Sequence, residues 1–259
     1  MINTVKIDND TIKKMNDLNG KTILITGAAR RVGRLFALAC ARAGADLILH
    51  YAHSEEEAKQ VRDEIQSLGR KAHILASDFG TPDSVSRLIS QANEFSPLYA
   101  LVNSAAIFEP LSFNSTTLTD WQHHMNINLT APFLLSREFS RHANEGRIVN
   151  ILDWRALRPG ADHFPYTVSK AALAAMTKSL AVALAPRITV NGLALGAILP
   201  PADTNPAGNP SAGEGIIEHV PAKRWSEAGE AGHALIFLLA GPAYITGEII
   251  HVDGGRHLV

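Results

Sequence analysis

The chain has 259 residues, 46% of them hydrophobic and 19% charged, which bounds it to one globular domain with a sizeable core. A formal net charge of −1 without clustered Lys and Arg excludes the electrostatic footprint of a nucleic-acid binder or of a protein held on an anionic membrane. The one cysteine, Cys40, rules out a disulfide framework within the chain and fits a reducing cytoplasm.

Residues 1–20 mix Asp8, Asp10 and Asp17 with Lys6, Lys13 and Lys14 and hold no seven-residue apolar stretch, so they read as an N-terminal extension, not a secretory signal. The domain proper is expected over 21–259, with no membrane-spanning segment. From there, short β-branched apolar runs fall at 22–26, 46–51, 71–76, 98–103, 147–152, 188–193 and 248–252. Segments of helical period lie between them at 32–43, 55–68, 82–95, 119–142, 166–185 and 227–239. Ser54, Thr81 and Ser226 stand where N-caps belong. The alternation predicts an α/β fold of Rossmann type, a doubly wound parallel sheet of about seven strands with helices on both faces, because parallel strands need crossovers. Residues 200–215 carry four prolines and three glycines and read as a mobile loop without regular helix, either covering a substrate or an excursion without a role. The Asn-x-Ser/Thr matches at Asn114 and Asn128 read as coincidences of composition.

The first predicted strand runs into Thr26, Gly27, Ala28, Ala29, Arg30, Arg31, Val32 and Gly33 and then a helix. In that setting a turn and a helix N-terminus offer N–H groups to a pyrophosphate. Gly27 and Gly33 permit close approach, although two glycines alone also suit a plain tight turn. Arg30 and Arg31 put a cationic pair inside the turn, and that pair calls for an anion. The second strand ends in His50, Tyr51, Ala52, His53 and Ser54 with no acid for a ribose 2′-hydroxyl, which favours NADP over NAD. By themselves, His53 would read as an exposed loop histidine and Ser54 as a cap.

Tyr166 and Lys170, four apart on a predicted helix, share one face, close enough for the ammonium to lower the phenol pKa. That helix and the glycine turn both lie at the carboxyl edge of the sheet, where α/β ligands bind. Asp153 closes the fifth strand thirteen residues before Tyr166 and is expected to face the same crevice; alone, it would also read as a strand-end acid bonding a turn.

Taken together, these residues resemble the short-chain dehydrogenase/reductase superfamily from Lys21 to Val259. In that family a nucleotide turn, an Asp after the third strand, an Asn-rich motif after the fourth, an Asn on the next helix and a Tyr-x-x-x-Lys helix recur in order. Gly27 to Gly33, Asp78, Leu101 to Ala105, Asn128, and Tyr166 with Lys170 occupy those places here. Within the superfamily the chain is most similar to the pteridine reductases and the bacterial dihydromonapterin reductases. Arg31 replaces the middle glycine of the turn, and Asp153 stands where the usual Ser stands. Phe108, five residues after Asn103, matches a Phe that stacks on the pterin, and the closing Val252 to Leu258 is like that of the bacterial subgroup. The chain departs from them at His53, where an Arg precedes the 2′-phosphate-binding Ser, at Ala106, where a polar residue is usual, and at Leu195-Gly196, where Pro-Gly is usual.

The resemblance implies NADPH held by Gly27, Arg30, Arg31, Val32, Gly33, Tyr51, His53, Ser54, Asp78, Phe79, Asn103, Ser104, Ala105, Gly196 and Ile198. It implies a substrate against Phe108 and Arg31, no metal, no nucleic-acid or membrane partner, and a cytoplasmic homotetramer; Trp154 reads either as a second flat wall for that substrate or as an ordinary core aromatic. Tyr166 with Asp153 would relay a proton to a ring nitrogen, Lys170 would bind the nicotinamide ribose and keep the phenol acidic, and Asn128 would hold a water in the proton path. An ionised Asp153 cannot donate a hydrogen bond to a carbonyl as a Ser hydroxyl does, which favours a pterin-like C=N substrate. The rivals are a carbonyl or polyol dehydrogenase acting on a ketone or alcohol, and a non-catalytic NADP-binding sensor, which would have no chemical need of Tyr166 and Lys170.

Overall fold

A computed structural model describes residues 17–200 and 211–259. Seven described strands, β1 (Thr22–Ile25), β2 (Asp46–Tyr51), β3 (Ala72–Ala76), β4 (Ala100–Asn103), β5 (Gly146–Asp153), β6 (Ile188–Leu195) and β7 (Ile249–Val252), form one sheet in the order β3-β2-β1-β4-β5-β6-β7. Every pairing is parallel. β1 is buried along its whole length because it lies between β2 and β4, where an apolar run without polar alternation is the stable choice. The fifth and sixth strands run past the expected 152 and 193 to Asp153 and Leu195, and the last rung of their ladder pairs those two residues. β6 is buried at every position, so the ladder continues as far as both faces stay covered.

The helices are α1 (Arg31–Arg42), α2 (Glu55–Ser67), α3 (Pro82–Val85), α4 (Leu88–Phe95), α5 (Leu118–Met125), α6 (Ala131–His142), α7 (Phe164–Leu184), α8 (Ser211–Glu218) and α9 (Ala228–Ala240). One face of the sheet buries Phe36, Cys40, Leu235 and Leu239 from α1 and α9; the other buries Leu88, Ile89, Leu135 and Phe139 from α4 and α6. Each fully buried Leu or Phe contributes about 2 kcal/mol relative to exposure. Packing reaches back to Leu18, 1% exposed, three residues ahead of the expected start of the domain.

Three expectations about helices are corrected. The predicted 82–95 helix is two pieces, α3 and α4; the Ser84 hydroxyl donates to the Thr81 carbonyl at 2.8 Å, a local bond that competes with helical pairing. The predicted 119–142 helix is interrupted by a π turn at Asn126–Thr130, because Pro132 has no N–H for the Asn128 carbonyl and its ring crowds that carbonyl. The stretch 200–215 does hold helix at its end, where α8 runs from Ser211, while 201–210 lies outside the described residues.

Caps also differ. Ser54 and Thr81 take the N-cap position without a side-chain bond, and α9 is capped by Glu227 with Glu230, not by Ser226. Thr117 and Asp120 form a capping box on α5 that the sequence reading passed over. α7 is long and apolar enough to cross a bilayer by length and composition alone. Its packing against β5 and β6 and its buried Lys170 make it the core helix of this domain.

Candidate active site

The crevice opens where β1 and β4 lie side by side and the chain leaves them in opposite directions, the topological switch of a doubly wound sheet. The Thr26 hydroxyl oxygen accepts the N–H groups of Ser104 and Ala105, each at 2.9 Å, and so fastens the two strand ends together. A cavity of about 550 Å³ runs along this edge. Gly27, Arg30, Arg31, Val32, Gly33, Tyr51, His53, Ser54, Asp78, Phe79, Ser104 and Ala105, all expected at a nucleotide site, line it. A larger groove of about 720 Å³ between α1 and α9 shares only Arg31 with this cleft.

The turn needs its glycines. A Cβ on Gly33 would lie 2.0 Å from the Gly27 carbonyl oxygen, and one on Gly27, whose φ is +65, would lie 2.9 Å from Ala105 Cα. The first turn of α1, which follows this turn directly, leaves N–H groups without intrahelical partners. A phosphate fits such a cradle. Of the two arginines, Arg30 already has its anion in Glu57 of α2, so only part of the expected demand for a phosphate remains. Arg31, in the left-handed region at φ +48, donates to the Pro200 carbonyl at 3.2 Å.

Three expected cofactor residues do not line the cleft. The Asn103 amide is 2% exposed and donates to Asn150 at 2.8 Å and to Ser136 at 3.4 Å, within the layer of the sheet. Ile198 is a core residue, 4% exposed, and Gly196 is required because a Cβ there would lie 2.6 Å from Asp253 Cβ. The sequence reading missed His50, Ile107, His123 and Ile127, which do line it. His123 and Ile127 are four apart on the segment that carries Asn128, a spacing that marks a shared face.

Outside the lining of this cavity, Tyr166 and Asp153 meet as expected: the phenol O–H donates to Asp153 Oδ2 at 3.2 Å. Burial raises the Asp153 carboxyl above its ordinary range, opposed by the Arg155 N–H and guanidinium and by Lys170. The Tyr166 phenol is also pushed well above its ordinary value, by burial first and then by the facing Asp153 carboxylate. This corrects the expected lowering by Lys170. The Lys170 ammonium, 5.7 Å from the Tyr166 ring centre, donates to the Ile151 carbonyl at 2.7 Å, and burial lowers its own pKa to about 8.

Asn128 is fully buried in the π turn. Its amide accepts Ile107 N–H at 2.9 Å and donates to the Ile107 carbonyl and Ser169 hydroxyl, both at 3.1 Å. Both of its N–H groups are committed, and the side chain pins the segment leading to Phe108. Phe108 is 52% exposed, stacks on His163 at 3.8 Å and meets Tyr166 edge-on at 4.7 Å. The Trp154 ring meets the guanidiniums of Arg155 and Arg256 at 4.7 and 4.9 Å. Arg155, absent from the sequence reading, joins the two rings: it faces Phe108 at 5.7 Å, pairs with Asp162 at 3.0 Å and lies 3.6 Å from Asp153. No spacing rule announces it; a strand-end turn brings it there.

Comparison with known proteins agrees with this geometry. A family profile described as enoyl-(acyl carrier protein) reductase matches residues 27–257. A 3-oxoacyl-[acyl-carrier-protein] reductase of Synechocystis is 33% identical over 248 residues, 93% of this chain and 98% of its own length. The solved FolM alternative dihydrofolate reductase 1 from Brucella canis, complexed with NADP, is 31% identical with a TM-score of 0.84, covering 93% of this chain and 95% of that one. A short-chain dehydrogenase from Burkholderia cenocepacia in complex with NADP is 34% identical with a TM-score of 0.85, covering 92% and 98%.

Proposed function

The chain belongs to the short-chain dehydrogenase/reductase superfamily, and on that premise we propose that it is an NADPH-dependent oxidoreductase that reduces a C=N bond of a pterin-like ring. The observation that carries the reading is the Tyr166 hydroxyl donating to Asp153 at 3.2 Å within a largely buried pair. NADPH bound along the glycine turn supplies the hydride. The ring nitrogen then needs a proton, which the Tyr166 O–H donates; Asp153, held toward its neutral form by burial, restores it. When ionised, the same carboxylate accepts the N–H donors of an aminopyrimidine ring. Phe108 supplies a flat apolar wall, and Lys170 offers an ammonium for ribose hydroxyls from the next turn of α7. His53, Ser54 and Arg31 around the cleft suit a 2′-phosphate, since no acid stands at the end of β2.

One observation favours carbonyl reduction as a second reading. A protonated Asp153 donates a hydrogen bond to a carbonyl as a hydroxyl does, and the Synechocystis relative is named for that chemistry. NADPH consumption against dihydropterins, ketones, quinones and sugars decides between them. Dihydropterin turnover is expected in the natural chain, with a loss of about a hundredfold and a gain of ketone reduction in Asp153→Ser. Ketone turnover without dihydropterin turnover would overturn the pterin reading, and any turnover excludes a mere sensor.

The working unit is proposed as a cytoplasmic homotetramer. Val182 on α7 is 83% exposed and Phe133 on α6 is 43% exposed, apolar surface that a second copy would cover. Burial pushes the Cys40 thiol up to about 12, so it persists as an inert thiol. Sedimentation of the purified chain tests the assembly.

A further inference from the structure

His50 occupies a place in β2 where the preceding Leu47, Ile48 and Leu49 are all buried and apolar, and it is itself only 2% exposed. An imidazole so placed is costly unless both ring nitrogens are bonded. Both are: Nδ1 lies 3.1 Å from the Gly27 nitrogen and Nε2 lies 2.8 Å from the Ser77 carbonyl oxygen. A backbone N–H only donates and a carbonyl only accepts, so the partners fix the tautomer, with Nδ1 bare and Nε2 protonated. The His50 backbone carbonyl accepts the Ala28 N–H at 2.9 Å, and Phe79 stacks on the ring at 4.1 Å and 4°. One residue thus takes two successive N–H groups of the glycine turn and ties the ends of β1, β2 and β3 together.

We propose that His50 is a positioning residue for the nucleotide turn: its neutral imidazole, braced between Gly27 and Ser77, sets the backbone that receives the cofactor pyrophosphate. The proposal rests on the cofactor reading above. Gly27 is the turn residue at φ +65 with no room for a side chain, and its N–H direction is dictated by His50. With that N–H and the next already bonded, the unpaired N–H groups of the first turn of α1 are the ones left for a phosphate. Protonation would replace the acceptor at Nδ1 by a donor and break the brace. Burial, opposed by the Ser77 bond, lowers the His50 pKa to about 4, which keeps the ring neutral at physiological pH. The titratable and charged side chains lining the same cleft are Arg30, Arg31, Tyr51, His53, Asp78 and His123.

Three substitutions separate the two bonds. His50→Asn keeps an acceptor toward Gly27, His50→Gln keeps an N–H donor toward Ser77, and His50→Leu keeps neither. NADPH titration of the full chain near neutral pH is expected to find His50→Asn within about threefold of the natural protein, with His50→Gln and His50→Leu weakened about tenfold or more. Nitrogen NMR of the ligand-free protein is expected to find the Nε2–H tautomer and no imidazolium near neutrality. Equal affinity of His50→Leu and the natural chain, equal losses in Asn and Gln variants, or an Nδ1–H tautomer would overturn the proposal. If His50→Leu does not fold, the Asn and Gln contrast decides. If the natural chain binds no NADPH, the cofactor reading falls and the proposal with it, whatever the tautomer.

Discussion

The glycine turn and the Tyr166 corner differ in what their polar groups face. Beside the glycine turn, polar groups are matched: Thr26 takes two N–H groups, His50 is bonded at both nitrogens, and Arg30 is paired with Glu57. At the Tyr166 corner titratable groups act on one another: Asp153 and Tyr166 are raised and Lys170 is lowered to about 8, whereas His50, lowered to about 4, is braced by backbone groups at both ring nitrogens. On the proposed function, groups braced by backbone fix the shape of the nucleotide turn, whereas titratable groups set against one another suit a proton transfer.

The strongest way to break this division is Tyr166→Phe. Turnover should fall about a thousandfold while NADPH affinity stays within about twofold, measured by stopped-flow and titration; loss of both together would show that the two regions are not separate. Gly33→Ala attacks the glycine turn. Its methyl would lie 2.0 Å from the Gly27 oxygen, so NADPH affinity should drop about a hundredfold and stability by about 3 kcal/mol, read by titration and denaturant melts.

Asp153→Asn should cut turnover roughly thirtyfold and yet stabilise the fold above neutral pH. The native carboxyl pKa is raised, so its ionisation in place is a cost present above the folded pKa and gone below the ordinary carboxylate range. The melting temperature of the variant should therefore exceed that of the natural chain at alkaline pH, with the gap closing as pH falls. Phe108→Ala should raise KM about fivefold with little change in melting, because the ring is 52% exposed. Arg30→Ala is the smallest test: its ion pair is solvent-exposed, so no change in melting is expected and NADPH affinity should weaken about twofold.

The sheet was legible because its strands are apolar runs with β-branched residues, and the glycine turn because a phosphate cradle needs glycine where backbone meets backbone. Tyr166 with Asp153 was legible as spacing, and the hydrogen bond between them follows from the strand and helix that carry them. The direction of the phenol shift was not. Helical spacing placed Lys170 near Tyr166 but could not tell that its ammonium would turn to the Ile151 carbonyl, leaving Asp153 the nearer charge. The π turn had a readable sign in Pro132, whose missing N–H must be absorbed somewhere in the preceding turn. Asn103 looked like a ligand by motif; its amide N–H groups go to Asn150 and Ser136, far apart in sequence, which the motif could not show.

α7 is 21 residues long, about 31 Å of continuous helix at 1.5 Å per residue. Its first turns carry the phenol and the ammonium in the interior, and its last turn projects Val182 from the outer surface. One unbroken helix thus ties a buried polar corner to an exposed apolar surface.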